Sequence, residues 1–227
     1  MKNLIVSFWL FASFNAFAQQ NTQNPFGLPI INDYKAYKAD YRLNPNNELI
    51  EIKKAIPTVV LDIRYATKNN FMGQVMYKQA RAFARKPVVE QLKKIQAILK
   101  DKGYGLKIFD AYRPYAITLA FYEKASDKNF VANPERGSKH NRGCAIDLTI
   151  IDLKTGKDVP MPTPYDSFAP EAAARFEKLP ANIIKNRDFL IATMQANGFK
   201  VIPNEWWHFD FNNWQDYGLM DIPFGKL

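Results

Sequence analysis

SKHNRGCAIDLT, residues 138–149, holds one of only two histidines in a chain of 227 residues, and how it folds decides the rest. From Cys144 onward the residues alternate: Cys144, Ile146, Leu148 and Ile150 fall on one face and Asp147 on the other, as a strand requires. On one uninterrupted strand His140 and Asp147, seven positions apart, would point to opposite faces. Asn141-Arg142-Gly143 between them has turn chemistry, so a loop histidine can fold back over a strand aspartate. The second histidine closes another unusual string, NEWWHFD, residues 204–210, in which Glu205 precedes His208 by three. Alternation there puts Trp206, His208 and Asp210 on one face and Trp207, Phe209 and Phe211 on the other. The second set reads as core, which leaves His208 towards a cleft and Glu205 at the strand's mouth.

Working outward, PVVEQLKKIQAILKDKG reads as a helix, with Pro87 in its first turn, a stripe of Val88, Leu92, Ile95 and Leu99, and Gly103 at its end. LKIFDAY reads as a strand, PYAITLAFYEKA as a helix opened by Pro114, residues 183–197 as a further helix, and WWHFDF as the last strand. IPTVVLDIRYAT has the β-branched character of a strand as well. Strands and helices mixed without regular βα alternation predict an α+β fold.

The first eighteen residues, MKNLIVSFWLFASFNAFA, carry one positive charge at Lys2 and then an apolar run ending in Ala16-Phe17-Ala18. This pattern predicts a signal peptide over 1–18 and an exported, periplasmic or extracellular protein. No later stretch approaches the roughly 20 apolar residues of a membrane span. Residues 19–49, rich in Gln, Asn, Pro and Lys, read as a linker or extended arm, and 50–227 as one catalytic domain. A single cysteine, Cys144, excludes an intrachain disulfide, so the core has to hold the domain, and a bound metal would help it. The net charge of +9 is dispersed, with no block of five or six basic residues, and gives no nucleic-acid reading.

Two histidines, an aspartate and an open fourth position suit a catalytic zinc, because zinc accepts imidazole and carboxylate together. A carboxylate near the metal but not bound to it can serve as general base, and Glu205 stands in that position. Bland readings exist for each part. A lone His-x6-Asp is usually a hydrogen-bonded pair, and EWWH can be an aromatic core strand with incidental charge. Their joint use of both histidines in the chain strengthens the metal reading, and spacing alone leaves the two readings level.

SKHNRGCAIDLT resembles the S-x-H-x-x-G-x-A-x-D zinc motif of the D-alanyl-D-alanine peptidases, and NEWWH resembles their E-x-W-H motif. The similarity is closest to the D-alanyl-D-alanine dipeptidase branch. It runs from about 56 to 225 through VVLDIRYATKNNFMG, IFDAYRP, the two zinc motifs and MPTPYDSF. The resemblance implies a small single-domain zinc D,D-peptidase fold, shared with the Hedgehog N-terminal domain, with a central antiparallel sheet and flanking helices. It implies one zinc held by His140, Asp147 and His208, Glu205 as general base and acid, and Arg113 polarising the scissile carbonyl. Ser138 would lie near the substrate carboxylate, and Tyr65 and Asp166 around its free amino terminus.

The family usually has Met-Gly where this chain has Met161-Pro162, which puts the size of the pocket in question. From sequence alone Arg113 reads as well as a salt bridge at a strand end, Asp166 as a turn residue, and Tyr65 as packing at a strand end. The expected activity is hydrolysis of the D-Ala-D-Ala dipeptide in peptidoglycan turnover or scavenging. The alternatives are a D,D-carboxypeptidase or endopeptidase acting on peptidoglycan stem peptides, and a noncatalytic zinc-stabilised wall-binding module. Neither D-stereospecificity nor oligomeric state is readable from the sequence.

Overall fold

The structure is a computed structural model that describes residues 24–125 and 127–227. The signal peptide read at 1–18 lies outside the described residues. The chain runs β1 (Ile30–Ile31), α1 (Tyr34–Leu43), β2 (Leu49–Glu51), α2 (Ile52–Ala55), β3 (Val60–Leu61), β4 (Phe83–Arg85), α3 (Lys86–Lys100) and β5 (Tyr104–Asp110). It continues with α4 (Tyr115–Lys124), β6 (Ala145–Asp152), α5 (Ala181–Gln195), β7 (Phe199–Ile202), β8 (Glu205–Phe211) and β9 (Leu219–Met220). The fold is α+β.

Five strands form the central sheet in the order β3-β5-β6-β8-β7. All its pairs are antiparallel except β3 with β5, so the expected antiparallel sheet carries one parallel edge. Helix α3 begins with Pro87 in its first turn and buries Val88, Leu92, Ile95 and Leu99, the stripe that its apolar spacing predicts, together with Val89. Gln96 on the same helix is buried too: its Oε1 accepts the Leu106 N–H at 2.8 Å and its Nε2 donates to Thr58 at 3.1 Å, which ties α3 to β5. Each fully buried leucine or isoleucine here contributes about 1.5–3 kcal/mol. Leu92→Ala would cost about 2–5 kcal/mol through the lost contacts and the cavity left behind. Helix α5 packs against β7, and strands β6 and β8 lie in the middle with nearly every side chain buried.

Three local expectations change. The described part of 19–49 is no linker: α1 is capped by Asp33, whose carboxylate accepts the Ala36 N–H, and buries Tyr37, whose hydroxyl accepts the Leu49 N–H at 2.7 Å. Strand β1 then pairs in parallel with β9. IPTVVLDIRYAT pairs only at Val60–Leu61, because the chain turns into a 3-10 turn over Arg64–Ala66. In β8, Trp206 and Trp207 are equally buried, because both faces of the sheet are covered at this point, and Trp207 lines the cleft rather than only the core.

Candidate active site

Register assembles the site. Asp110 on β5 sits opposite Asp147 on β6, and Asp147 opposite His208 on β8, so three neighbouring strands bring three polar side chains to one place. His140 arrives from the loop before β6, in a 3-10 turn over His140–Arg142 that ends at Gly143 with φ +70°. Glycine is needed there: a Cβ would stand 2.7 Å from Leu49 Cδ2 in a backbone conformation that L side chains rarely adopt. The loop is pinned by Asn141, whose amide donates to the Arg113 carbonyl at 2.9 Å and to Thr118 at 2.8 Å.

The ring orientations are fixed by their far sides. His140 Nδ1 lies 2.6 Å from the Ala111 carbonyl and His208 Nε2 2.9 Å from Asp210 Oδ1. Each of those acceptors demands an N–H, so in the neutral rings His140 Nε2 and His208 Nδ1 carry lone pairs. These two nitrogens face each other at 3.2 Å. Asp147 Oδ1 lies 3.0 Å from the second and 3.4 Å from the first, and it is a buried oxygen with no hydrogen-bond donor. Three lone pairs converging in a buried space repel unless a cation lies between them. A four-coordinate ion with bonds of about 2.0–2.1 Å keeps its ligands about 3.3–3.4 Å apart, close to these spacings. The residues therefore fit a metal.

The electrostatics agree. Asp110, Asp147, Asp166, Glu205 and Asp210 crowd the site against the cations of Arg113 and Lys139. Burial works to raise the Asp147 carboxyl, but His140 and His208 outweigh it and hold it well below the usual range. Burial lowers His208, yet Asp147 and Asp210 on either side lift it to about 10. With no cation in the site, that second proton on His208 Nδ1 supplies the positive charge that the converging acceptors call for, and a metal would displace it. Burial pushes Glu205 up to about 7, with the Asp147 charge adding to it against the pull of His208 and Arg113. Its Oε2 lies 3.7 Å from His208 Nδ1.

Arg113 is buried and held by Asp110, which accepts from its Nε at 3.0 Å and its Nη2 at 2.7 Å. The same Asp110 accepts from the Tyr77 hydroxyl at 2.8 Å. Burial opposes the arginine's charge, but Asp110 and its neighbours keep it protonated. The guanidinium lies over the Phe121 ring at 4.7 Å and reaches to 4.0 Å from Asp147.

Asp166 is the one non-glycine residue at positive φ among the described residues, at +62°. Tyr65 donates its hydroxyl to Asp166 Oδ1 at 3.0 Å, while Oδ2 is buried without a partner. Burial and the Asp147 charge push this carboxyl up to about 8. A strained backbone and an unsatisfied carboxylate oxygen persist where a function holds them. Ser138 is buried, with its Oγ accepting the His140 N–H at 3.2 Å. All eight predicted residues, Tyr65, Arg113, Ser138, His140, Asp147, Asp166, Glu205 and His208, line one cavity of about 580 Å³. That is the size of a small-molecule site.

The sequence reading missed the residues that hold these groups. Asp110 holds Arg113, and Tyr165 donates to Asp147 Oδ2 at 2.9 Å. Asp210 accepts from His208 and from Lys139. One signal was present for Asp210: the alternation that places it on the His208 face.

A family model described as D-Ala-D-Ala dipeptidase matches residues 45–219. D-alanyl-D-alanine dipeptidase of Escherichia coli K12 is 32% identical over 178 residues, which cover 78% of this chain and 92% of that protein. The Enterococcus faecium protein of the same name is 30% identical over 168 residues, covering 65% of this chain and 83% of that one. The Enterococcus faecalis one is 30% identical over 199 residues, with 78% and 94% covered. With matches of this length joined to a His–Asp–His site fit for a metal, the chain belongs to the D-Ala-D-Ala dipeptidase family of metallopeptidases.

Proposed function

We propose that the protein is an exported zinc dipeptidase that hydrolyses free D-Ala-D-Ala. The observation that carries this reading is the pairing, in one cavity, of the three converging ligand atoms with a strained, half-satisfied Asp166. His140, Asp147 and His208 would hold the metal, and zinc suits two imidazoles with one carboxylate. Zinc in such a site supplies Lewis acidity and a water nucleophile at neutral pH.

The chain's own residues do the rest. Glu205, raised towards neutrality by burial, takes the proton of the attacking water and delivers it to the leaving amine. Arg113, held by Asp110, stabilises the negative charge that develops on the carbonyl oxygen. Asp166 binds the substrate's ammonium group, which satisfies its free Oδ2, while Tyr65 steadies Oδ1. Ser138 sits near the substrate carboxylate. A peptide extended at its amino end brings no ammonium to Asp166, which then keeps its proton with Oδ2 buried and unmatched, and this selects free dipeptides. The apolar segment at 1–18, read as a signal peptide, supports an exported enzyme that would serve peptidoglycan turnover or scavenging.

The test compares D-Ala-D-Ala with its N-acetylated form. The reading expects the acetylated compound to be cleaved at least about tenfold more slowly, and Asp166→Asn to narrow that gap. Equal cleavage of the two would remove the amine subsite and favour a carboxypeptidase acting on stem peptides.

A further inference from the structure

Asp210 connects the two sequence motifs that build the site. Its Oδ1 accepts from His208 Nε2 at 2.9 Å, and its Oδ2 accepts from Lys139 Nζ at 2.5 Å. His208 lies two residues before it on β8, and Lys139 immediately precedes His140 in the loop before β6. Asp210 is itself buried, and its backbone is fixed on both sides, opposite Ala145 on β6 and opposite Lys200 on β7. Lys139 is half-buried, with its ammonium 5.2 Å from the Trp214 ring.

We propose that Lys139 and Asp210 are positioning residues that set His208 for the metal and lock the loop of His140 to the strand of His208. The proposal rests on the reading that these histidines bind a metal. Imidazole can present either nitrogen, and a carboxylate on Nε2 demands the N–H there and leaves the Nδ1 lone pair for the site. Lys139 holds that carboxylate in the orientation its ring partner needs. An exposed lysine–aspartate pair contributes almost nothing, and its loss would go unnoticed at the site. This pair differs because the other oxygen of its aspartate is bonded to a ligand ring, so a change at Lys139 reaches the metal through Asp210.

The test is chelator-competition titration of zinc, with cobalt absorption spectra alongside, on the metal-free wild type and on Lys139→Met, Asp210→Asn, Asp210→Ala and Lys139→Met/Asp210→Ala. Thermal melts of the metal-free proteins report folding. Asp210→Ala should weaken zinc about 10–100-fold and shift the cobalt spectrum, which a merely structural role would not move. Asp210→Asn, which keeps an acceptor oxygen without the charge, should fall between it and the wild type. Lys139→Met should weaken zinc by a smaller factor on its own and by none in the Asp210→Ala background, because it acts through that carboxylate. Should Asp210→Ala fail to fold, Lys139→Met and Asp210→Asn still decide: zinc affinity and cobalt spectra like the wild type's in both would overturn the proposal. So would independent, multiplying effects in the double variant. A wild type that binds neither ion overturns the proposal together with the metal reading beneath it, whereas tight wild-type binding with unaltered variants overturns the proposal alone.

Discussion

His140, Asp147 and His208 are placed by strand register and one tight turn, whereas Tyr65 and Asp166 are placed by irregular chain on the other side of the same cavity. On the ligand side every far-side atom is satisfied: the Ala111 carbonyl holds one ring, Asp210 the other, and Tyr165 the second oxygen of Asp147. The backbone there is unstrained apart from a glycine where glycine belongs. On the Asp166 side the backbone sits at positive φ and one carboxylate oxygen has no partner. The contrast separates two tasks. Geometry on a ladder holds an ion to within tenths of an ångström, while a strained loop with an unmet hydrogen bond holds an incomplete subsite ready for a charged group. Tyr165 and Asp166 are adjacent in sequence, so the two sides meet at one peptide: Tyr165 bonds the ligand Asp147 and Asp166 faces the cavity.

Substitutions on the two sides should therefore fail differently. His208→Ala gives the largest effect, loss of the metal together with at least about a 10⁴-fold loss of turnover, checked by metal content and dipeptide hydrolysis. Glu205→Ala should keep the metal and lose about 10²–10⁴-fold in kcat; a metal-free Glu205→Ala protein would show that this carboxylate is a ligand instead. Arg113→Lys should cost about 10²–10³-fold in kcat, since lysine keeps the charge but not the two-pronged bond to Asp110. Asp166→Asn should leave the metal in place and lower kcat/KM for the free dipeptide about 10–100-fold.

The smallest effect is one of stability. The Asp166 carboxyl is raised from its ordinary value to about 8 by burial, so between about pH 4 and 8 the folded, metal-free protein holds a proton that the unfolded chain has released. Its contribution to stability is complete below the unfolded value and declines as pH rises towards 8. Thermal melts of the metal-free protein from pH 5 to 8 should show a fall in Tm that is shallower in Asp166→Asn. Parallel curves would mean that this loop is wetter and more relaxed than its geometry indicates.

The ladder side was legible and the loop side much less so, for a physical reason. Period-two alternation and a turn at Asn141-Arg142-Gly143 are local signals, and they placed Asp147, His208 and the fold-back of His140 correctly relative to the strands. The positions of Asp166 and Tyr65 came only through family resemblance, because nothing local marks a positive φ at an aspartate or a hydroxyl 101 residues away. Helix α1 escaped because its stripe consists of tyrosines alone, Tyr34, Tyr37 and Tyr41, of which only Tyr37 is fully buried, among otherwise polar residues and alanines. The strand read in IPTVVLDIRYAT shrank to two residues because β propensity does not say where pairing ends. Asp110 could have been found, since DAYRP places it three residues before Arg113 with a proline ending the segment.

The most direct measurement is metal content and zinc titration coupled to hydrolysis of D-Ala-D-Ala beside a pentapeptide ending in D-Ala-D-Ala. The account predicts one zinc per chain, cleavage of the dipeptide and no cleavage of the pentapeptide. A protein that cleaves the dipeptide without metal, or cleaves both peptides equally well, would contradict it.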